Sequence, residues 1–394
     1  MGAEVISPRV ITLGCRLNIA ESERIAALVA GEDVVVVNSC AVTMEAVRQT
    51  RQAIRKVRKE RPDARLLVTG CAADIEREQL AAMPEVDGLI ANADKLNARA
   101  WNVAERLQPA AKKHTRAFIA VQNGCDHACT FCVIPQGRGD SRSLTIPQVL
   151  GQVERHLARG APEIVLTGVD VTSWGHDLPG SPKLGDLVSA VLSAFPELQR
   201  LRMSSIDGAE IDPVLFELFA GEMRVMPHIH LSLQHGADLI LKRMKRRHTR
   251  ADAIELVAGL RDRRPDLAVG ADIIAGFPTE SEAHHADNLS IFAALPVVHG
   301  HIFPYSPRPK TPAARMPQLD PATIKARAAS LRAAVAETRN AWLQSLVGKP
   351  QLVLAERGGS GYAENFARVA VPQGTPPGTI VTVTPTTLDK GMLK

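Results

Sequence analysis

Short apolar runs alternate with helical stretches through the first hundred residues of the chain. The runs are RVITLG (9–14), DVVVVN (33–38), RLLVTG (65–70) and a weaker VDGLIA (86–91). Helices are predicted after Asn18, after the second run up to about Glu60, and from Asp74. Strands that are apolar along nearly their whole length are typical of a parallel sheet covered on both faces. We therefore predict an α/β fold that begins with a doubly wound parallel-sheet domain over residues 1–108.

A longer series of strand and helix patterns follows a linker at about 108–115. Its strands are predicted at 118–122, 163–168, 200–205, 228–233, 267–277 and 297–306, and its helices at 146–159, 184–194, 213–220, 250–263 and 280–294. Repeated βα units of this kind predict a central (βα) barrel over residues 116–346, ending in a long helix from Pro321 to about Leu346. In such barrels the chemistry lies at the carboxyl ends of the strands.

The last segment, residues 347–394, differs from the rest. Thr, Val, Gly and Pro become frequent and the helical periodicity is lost. Short strands are predicted at 351–356, 367–371 and 379–385. We expect a small C-terminal β-barrel, with Tyr362 and Phe366 as its few aromatic side chains.

Composition excludes some classes of protein. The 394 residues are 45% hydrophobic and 23% charged, which is ordinary for a globular chain. The purely apolar runs, such as Val34–Val37, are far shorter than the ~20 residues of a membrane helix. Residues 1–10 lack the pattern of a secretory signal. These features predict a cytoplasmic protein with no membrane partner.

Positive charge is concentrated in two runs, although the net charge is only +5. Seven Lys or Arg lie between Arg48 and Arg61, and six between Lys242 and Arg250. Each run alone fits a solvated helix face. Two runs in one chain also fit a polyanionic partner, because clustered cations neutralise phosphates.

The six cysteines fall into two groups of three. Cys15, Cys40 and Cys71 each follow a predicted strand of the first domain. The carboxyl ends of parallel strands meet at one edge, where ligands bind, so these thiols are expected to converge there. The alternative is that they pack as small apolar residues. A disulfide framework is not expected in a reducing compartment.

The second group forms a compact CxxxCxxC motif of Cys125, Cys129 and Cys132, directly after the first barrel strand. A structural zinc site needs four ligands, and His127 is too close in sequence to be an easy fourth. A 4Fe–4S cluster held by three cysteines keeps one iron open. Such an iron can bind S-adenosylmethionine and reduce it to a 5′-deoxyadenosyl radical. The motif therefore predicts radical chemistry.

Seven stretches together carry a family resemblance. They are TLGCRLN (12–18), VVVVNSCAVT (34–43), VTGCAA (68–73), NGCDHACTFCVIPQGRGDSRS (123–143), EIVLTG (163–168), ADIIAGFP (271–278) and FPYSPRPKTPAARMP (303–317). In these stretches the chain resembles the methylthiotransferases of the radical-SAM superfamily. One departure is Lys310, which stands where the family usually has glycine.

The resemblance implies two 4Fe–4S clusters and S-adenosylmethionine as cofactors. The radical-SAM cluster is implied at Cys125, Cys129 and Cys132, and a second cluster at Cys15, Cys40 and Cys71. The activity implied is that of a transferase that inserts sulfur and a methyl group into a C–H bond. An electron donor of the flavodoxin or ferredoxin type is also implied; the sequence does not identify the sulfur donor.

The family acts on several substrates. RLRMSSIDGAEID (200–212) and HIFPYS (301–306) are most similar to the branch that modifies N6-threonylcarbamoyladenosine next to the tRNA anticodon. The C-terminal segment then resembles a TRAM-like RNA-binding domain. Isopentenyladenosine in tRNA and an aspartate of a ribosomal protein remain alternative substrates. A hypothesis of another class is an RNA-binding module with zinc in place of both clusters.

Four residues are candidates for the S-adenosylmethionine pocket. Phe131, in the CxΦC part of the motif, is expected to pack on the adenine. Ser204, Gln234 and Asp272 lie at predicted strand ends and are expected to line the cavity. Ordinary packing or capping roles are the alternatives for each of the four.

Overall fold

The computed structural model describes residues 8–103 and 115–394, which form two compact units. Within the described residues, the first unit consists of 8–103, 122–142 and 306–311, and the second of the remainder. The predicted linker at about 108–115 lies outside the described residues, except for Thr115. No helix in the described ranges is both long and apolar enough to cross a membrane.

The N-terminal part of the first unit is a four-stranded parallel sheet. Its elements are β1 (Arg9–Thr12), α1 (Arg16–Leu28), β2 (Val34–Ser39), α2 (Met44–Glu60), β3 (Arg65–Gly70), α3 (Cys71–Ile75), α4 (Arg77–Ala81) and β4 (Gly88–Leu89). The strand order is β1-β2-β3-β4. Alternate side chains of β2 enter two cores, Val34 and Val36 with α1 and Val35 and Val37 with α2. Helices therefore cover both faces, and the predicted doubly wound arrangement is confirmed.

The middle of the chain alternates strands and helices as predicted. The elements are β5 (Arg116–Ala120), β6 (Gln122–Asn123), α5 (Ile134–Arg138), β7 (Arg142–Ser143), α6 (Ile146–Leu157), β8 (Glu163–Thr167), α7 (Leu184–Ala194), β9 (Arg200–Met203), β10 (Ser205–Ile206), α8 (Pro213–Gly221), β11 (His228–Gln234), α9 (Asp238–Arg243), α10 (Arg250–Arg263), β12 (Ala268–Ala275), α11 (Glu282–Ala294) and β13 (Val297–Pro304). Short 3-10 helices cover Ala98–Trp101, Val171–Ser173, Gly208–Glu210 and Pro312–Arg315.

Seven of these strands build the parallel framework of the second unit. The strands pair in the orders β5-β8-β9 and β10-β11-β12-β13, and all these pairs are parallel. The single strand predicted at 200–205 is in fact two strands, which part at Ser204 and join different sheets. A buried apolar core runs through both sheets and the helices around them. The α/β class is confirmed, with strands in the sequential order of a partial barrel.

The C-terminal segment contains one long helix and a mixed sheet. Its elements are α12 (Pro321–Leu346), β14 (Gln351–Ala355), β15 (Ser360–Ala363), β16 (Arg368–Ala370), β17 (Ile380–Val383), β18 (Leu388–Asp389) and β19 (Met392–Leu393). The six strands are ordered β17-β14-β15-β16-β19-β18. The β-rich C-terminal segment is thus confirmed.

Buried charges join the C-terminal sheet to the parallel strands. Glu163 is 1% exposed and receives a 3.0 Å hydrogen bond from Arg202. Arg202 also donates to the carbonyl of Glu364 (3.1 Å), and Arg200 donates to the carbonyl of Leu352 (2.9 Å). The C-terminal sheet therefore completes the hydrogen bonding of arginines that begin in strand β9.

The two aromatic side chains of this segment pack against each other and against arginines of the parallel strands. The rings of Tyr362 and Phe366 stack with centroids 4.7 Å apart. Arg116 lies 4.9 Å from the Tyr362 centroid, and Arg202 lies 4.7 Å from that of Phe366. These rings take part in packing within the second unit, so they do not offer the free stacking surface that an RNA-binding barrel would use.

Candidate functional site

Three cysteines lie at the carboxyl edge of the N-terminal sheet. Cys15 is the N-cap of α1, three residues after the last residue of β1. Cys40 follows β2, and Cys71 is the first residue of α3, directly after β3. Because β1, β2 and β3 are adjacent and parallel, the structure brings the three thiols to one edge. Cys40 and Cys71 are buried, whereas Cys15 is exposed.

Glycines allow the close approach of the cysteine turns. Gly14 has φ +95°, and a Cβ there would lie 2.7 Å from Cβ and 2.9 Å from Sγ of Cys40. Gly70 has φ +89°, and its Cβ would lie 2.4 Å from the carbonyl oxygen of Ser39. A side chain at either position would combine a left-handed backbone with a clash. The GC pairs of the sequence are therefore structural requirements of this edge.

The buried environment of Cys40 disfavours a free thiolate. Burial raises the pKa of the Cys40 thiol to about 11, and the nearby Cys71 and Cys15 act in the same direction. Three neighbouring thiolates repel one another, and a bound cationic centre would offset that repulsion. Metal binding requires deprotonated thiols. The sequence proposes three thiols as ligands and no fourth. This donor set fits an iron–sulfur cluster with one open iron.

The CxxxCxxC motif occupies a loop between β6 and α5. The Cys125 N–H donates to the carbonyl of Gly139 (3.1 Å), directly after α5, so the start of the loop is bonded to the far end of the helix that follows it. The Cys132 N–H donates to the carbonyl of Cys129 (3.2 Å), and the Ile134 N–H points at Sγ of Cys132 (3.4 Å). All three cysteines are half-buried. A closed loop with three partly accessible thiols fits a cluster that must also reach a small-molecule partner.

A buried arginine, not predicted from the sequence, lies just beyond this motif. The Arg138 guanidinium is 1% exposed and forms a two-pronged ion pair with Glu21, at 2.9 and 3.1 Å. It also donates to the Oδ1 atoms of Asn18 (2.6 Å) and Asn123 (2.7 Å). Nζ of Lys95, equally buried, lies 2.6 Å from Oε2 of Glu21, an oxygen that Arg138 also contacts. One carboxylate is thus shared by two buried basic side chains.

Asn18 links this ion-pair network to the cysteine edge. Its Nδ2 donates to the carbonyl of Leu13 (2.7 Å), just after β1, and to that of Ser39 (3.0 Å), at the end of β2. The residues preceding Cys15 and Cys40 are therefore held by the same side chain that holds Arg138. One signal in the sequence could have indicated this buried network. The polar residues Asn18, Glu21 and Ser22 share a helix face with the buried Ile25.

The predicted S-adenosylmethionine residues are divided between the two units. Phe131, in the first unit, is half-buried between two cysteines of the motif. In the second unit, Ser204 lies at the break between β9 and β10, and its buried hydroxyl has no hydrogen-bond partner among the described residues. Gln234 ends β11 with φ +69°, a conformation that is uncommon for a residue other than glycine.

Asp272 lies in a polar cluster that crosses three strands. Its Oδ1 is 3.0 Å from Nε2 of His230 in β11 and 3.0 Å from Nδ1 of His301 in β13. Its Oδ2 accepts a 3.2 Å hydrogen bond from Ser205. Burial would raise the pKa of Asp272, but the hydrogen bonds from His230 and His301 hold it well below its usual range. Polar residues inside otherwise apolar strands were the sequence signal for the two histidines.

The first basic run is largely ion-paired within the chain, and the second is ion-paired in part. In α2, Arg58 lies 2.6 Å from Asp87 and Arg48 lies 2.5 Å from Glu45. Other acidic partners are found for Arg51, Arg55, Lys56 and Arg61. In the second run, Arg246 and Arg247 both contact Asp207. Much of this charge is neutralised locally, so the runs are weaker support for a polyanionic partner than the sequence suggested.

Two family models match the chain. Residues 119–290 match the Radical SAM superfamily, and residues 8–91 match the Uncharacterized protein family UPF0004. The first match covers the CxxxCxxC motif and the strands that follow it. The second covers the sheet that carries Cys15, Cys40 and Cys71.

Curated relatives match over most of the chain. The threonylcarbamoyladenosine tRNA methylthiotransferase MtaB of Rickettsia prowazekii is 44% identical, covering 91% of this chain and 90% of the relative. MtaB of Aquifex aeolicus is 33% identical over 80% of this chain and 84% of its own length. The tRNA-2-methylthio-N(6)-dimethylallyladenosine synthase of Cereibacter sphaeroides (strain ATCC 17023) is 32% identical over 88% and 87%.

A solved structure supports the fold. The radical S-adenosylmethionine methyltransferase TsrM from Kitasatospora setae is similar with a TM-score of 0.53, at 16% identity, over 72% of this chain and 64% of that one. Fold and cysteine motif together define a radical-SAM enzyme. More narrowly, the chain belongs to the radical-SAM methylthiotransferase family, and it is a transferase. Membership implies S-adenosylmethionine and a 4Fe–4S cluster as cofactors.

Proposed function

We propose that this protein adds a methylthio group to C2 of N6-threonylcarbamoyladenosine next to the anticodon of tRNA. The observation that carries the proposal is the 44% identity, over nine-tenths of both chains, to a relative named for that activity. A methylthiotransferase acting on dimethylallyladenosine (isopentenyladenosine) in tRNA is the second candidate, because relatives with that name are 32% identical over similar lengths.

The two cysteine groups are proposed as two cluster sites. Cys125, Cys129 and Cys132 would hold the radical-SAM 4Fe–4S cluster, and Cys15, Cys40 and Cys71 a second 4Fe–4S cluster. When bound, the clusters and S-adenosylmethionine would supply the radical that removes hydrogen and the sulfur and methyl group that replace it. Support for the second site comes from the three adjacent strand ends and from the charge coupling among its thiols.

The chain's own residues would orient the small molecules. Phe131, Ser204, Gln234 and Asp272 are proposed to line the S-adenosylmethionine pocket. The unpaired Ser204 hydroxyl and the left-handed backbone of Gln234 support this, because unsatisfied and strained groups are concentrated at functional sites. Both carboxylate oxygens of Asp272 are hydrogen-bonded, to His230, His301 and Ser205. Its proposed role is therefore to hold these three side chains in position to face the ligand.

The remaining expectations form part of the same proposal. We propose a functional division into 1–108 for the second cluster, 116–346 for the radical-SAM barrel and 347–394 for a TRAM-like RNA-binding domain. The place of reaction would be the cytoplasm, where tRNA is available. An electron donor of the flavodoxin or ferredoxin type would reduce the clusters.

The test is nucleoside mass spectrometry of tRNA from cells with and without the gene. The proposal expects 2-methylthio-N6-threonylcarbamoyladenosine to disappear in the deletion strain while the unmethylthiolated nucleoside accumulates. Wild-type protein should restore the product, and a Cys125→Ala variant should not. Loss of the dimethylallyl derivative instead would favour the second candidate, and unchanged tRNA would refute both.

A further inference from the structure

The buried ion-pair network beside the N-terminal cysteines contains more basic than acidic groups. Among the residues that the structure describes, Glu21 is the carboxylate that pairs with both Arg138 and Lys95. Burial lowers the pKa of Lys95, although Glu21 opposes this effect. Burial also raises the pKa of Glu21, but Lys95 and Arg138 together hold it below its usual range. A guanidinium stays protonated in proteins, so Arg138 contributes the permanent positive charge of this network.

Arg138 belongs to a helix that packs directly on Cys71. At Gly137, the preceding residue, a Cβ would lie 3.4 Å from both Cα and Cβ of Cys71. The amide of Asn92 donates to the Gly137 carbonyl at 2.5 Å and fixes this part of α5. The charge of Arg138 is therefore held against the cysteine edge by backbone contacts and not only by its own side chain.

Electrostatic coupling connects Arg138 to the same cysteines. Burial alone would lower the pKa of Arg138, but Cys71, Glu21 and Cys15 raise it above the usual value. Charge interactions are strong where water is excluded, and both Arg138 and Glu21 are almost completely buried. Among the described side chains, Arg138 is the buried cation with two links to the cysteines. It contacts α1, which begins directly after Cys15, and its own helix packs on Cys71.

We propose that Arg138 is a positioning residue that balances the thiolate charge of Cys15, Cys40 and Cys71 and raises the reduction potential of the cluster they hold, with Glu21 opposing it. The inference rests on the proposed second cluster. Its physical basis is that reduction adds negative charge, which a fixed cation stabilises and a fixed anion destabilises. Because Arg138 follows the CxxxCxxC motif by six residues, the helix directly after the loop that carries one cysteine group supplies the charge for the other.

The experiment isolates the N-terminal site in the full-length chain. In a Cys125/Cys129/Cys132→Ala background, only Cys15, Cys40 and Cys71 remain to bind iron. Arg138→Gln, Arg138→Lys and Glu21→Gln are added singly, and each anaerobically reconstituted protein is titrated redox-potentiometrically by EPR. Arg308→Gln is the control, because Arg308 is also a 1% exposed arginine paired with a carboxylate of the same unit, Glu76 at 2.7 Å.

The proposal predicts shifts of opposite sign. Arg138→Gln should lower the midpoint potential enough to change the ratio of reduced to oxidised cluster at least tenfold at a fixed potential, about 59 mV for one electron. Glu21→Gln should raise it. Arg138→Lys should stay near the background value, and Arg308→Gln should lose thermal stability without a shift.

Three results would overturn the inference. Unchanged potentials, or shifts of the same sign for Arg138→Gln and Glu21→Gln, would mean that the network is only structural, while the second cluster itself would stand. If Arg138→Gln cannot retain iron, Glu21→Gln decides against the Arg138→Lys protein, whose charge is kept: a potential that is not raised in Glu21→Gln overturns the inference. A folded background protein that binds no iron would refute the second cluster, and this inference with it.

Discussion

Replacing Gly14 with alanine should remove one cluster and spare the other. The new Cβ would lie 2.7 Å from Cβ and 2.9 Å from Sγ of Cys40, closer than real Cβ atoms approach other atoms. The backbone at Gly14, with φ +95°, would also become strained. Both effects act on the edge that carries Cys15 and Cys40. The CxxxCxxC loop has no part in either contact.

The size of the effect follows from its two components. A left-handed backbone costs a residue other than glycine about 1–2 kcal/mol. Overpacking a buried site costs about 1–3 kcal/mol more. A matched control is Gly160→Ala, because Gly160 has φ +70° and no atom within 4 Å of its added Cβ. The control should therefore lose only the backbone component.

Iron and sulfide analysis after anaerobic reconstitution is the assay. Wild-type protein and Gly160→Ala should bind about eight irons per chain, and Gly14→Ala about four. Thermal melting of the apoproteins should place Gly14→Ala below Gly160→Ala. A Gly14→Ala protein that retains all its iron would refute the argument that Cys40 must lie where the structure has it.

Three further predictions concern the second unit. Glu163→Gln should lower the free energy of unfolding by about 3–5 kcal/mol, because it leaves buried arginines without their carboxylate; a loss below about 1 kcal/mol in chemical denaturation, within the usual range for a surface change, would contradict this. Burial and the charge of Arg339 lower the pKa of His299 from 6.5 to about 3. The stability that the neutral imidazole contributes is therefore complete above pH 6.5 and is lost as the pH falls towards 3. The loss is up to about 1.4 kcal/mol per pH unit. Melting curves of His299→Asn should be less sensitive to acid than those of the wild type, and parallel curves would argue against a neutral buried imidazole. Asp272→Asn should reduce methylthiolation of tRNA about tenfold or more without loss of iron, since it weakens hydrogen bonds to a charged group; loss of iron as well would indicate a structural role.

Most strands could be predicted from the sequence because each is a buried apolar run. The run at 65–70 coincides with β3, and the long helix at 321–346 coincides with α12. The break at Ser204 could not be predicted, because it shows only when the residues on its two sides join different sheets in the fold. The helix α5 was also missed, since it contains one proline and one glycine and is held by contacts with α3.

The candidate site could also be predicted only in part from the sequence. The cysteine spacing and the positions after strands were visible as patterns along the chain. The partners of Arg138 were not, because Glu21 and Lys95 are distant in sequence and meet only in the folded unit. The basic runs were misleading for a related reason. Their acidic partners, such as Asp87 for Arg58, come from other elements and cannot be read from the run itself.

Iron content of the two cysteine variants tests the central claim, two independent cluster sites in one methylthiotransferase, most directly. Anaerobically purified and reconstituted wild-type protein is compared with a Cys125/Cys129/Cys132→Ala variant and a Cys15/Cys40/Cys71→Ala variant. Two independent cluster sites would give about eight irons in the wild type and about four in each variant. About four irons in the wild type, none in the first variant and four in the second would contradict it, because Cys15, Cys40 and Cys71 would then be core thiols alone.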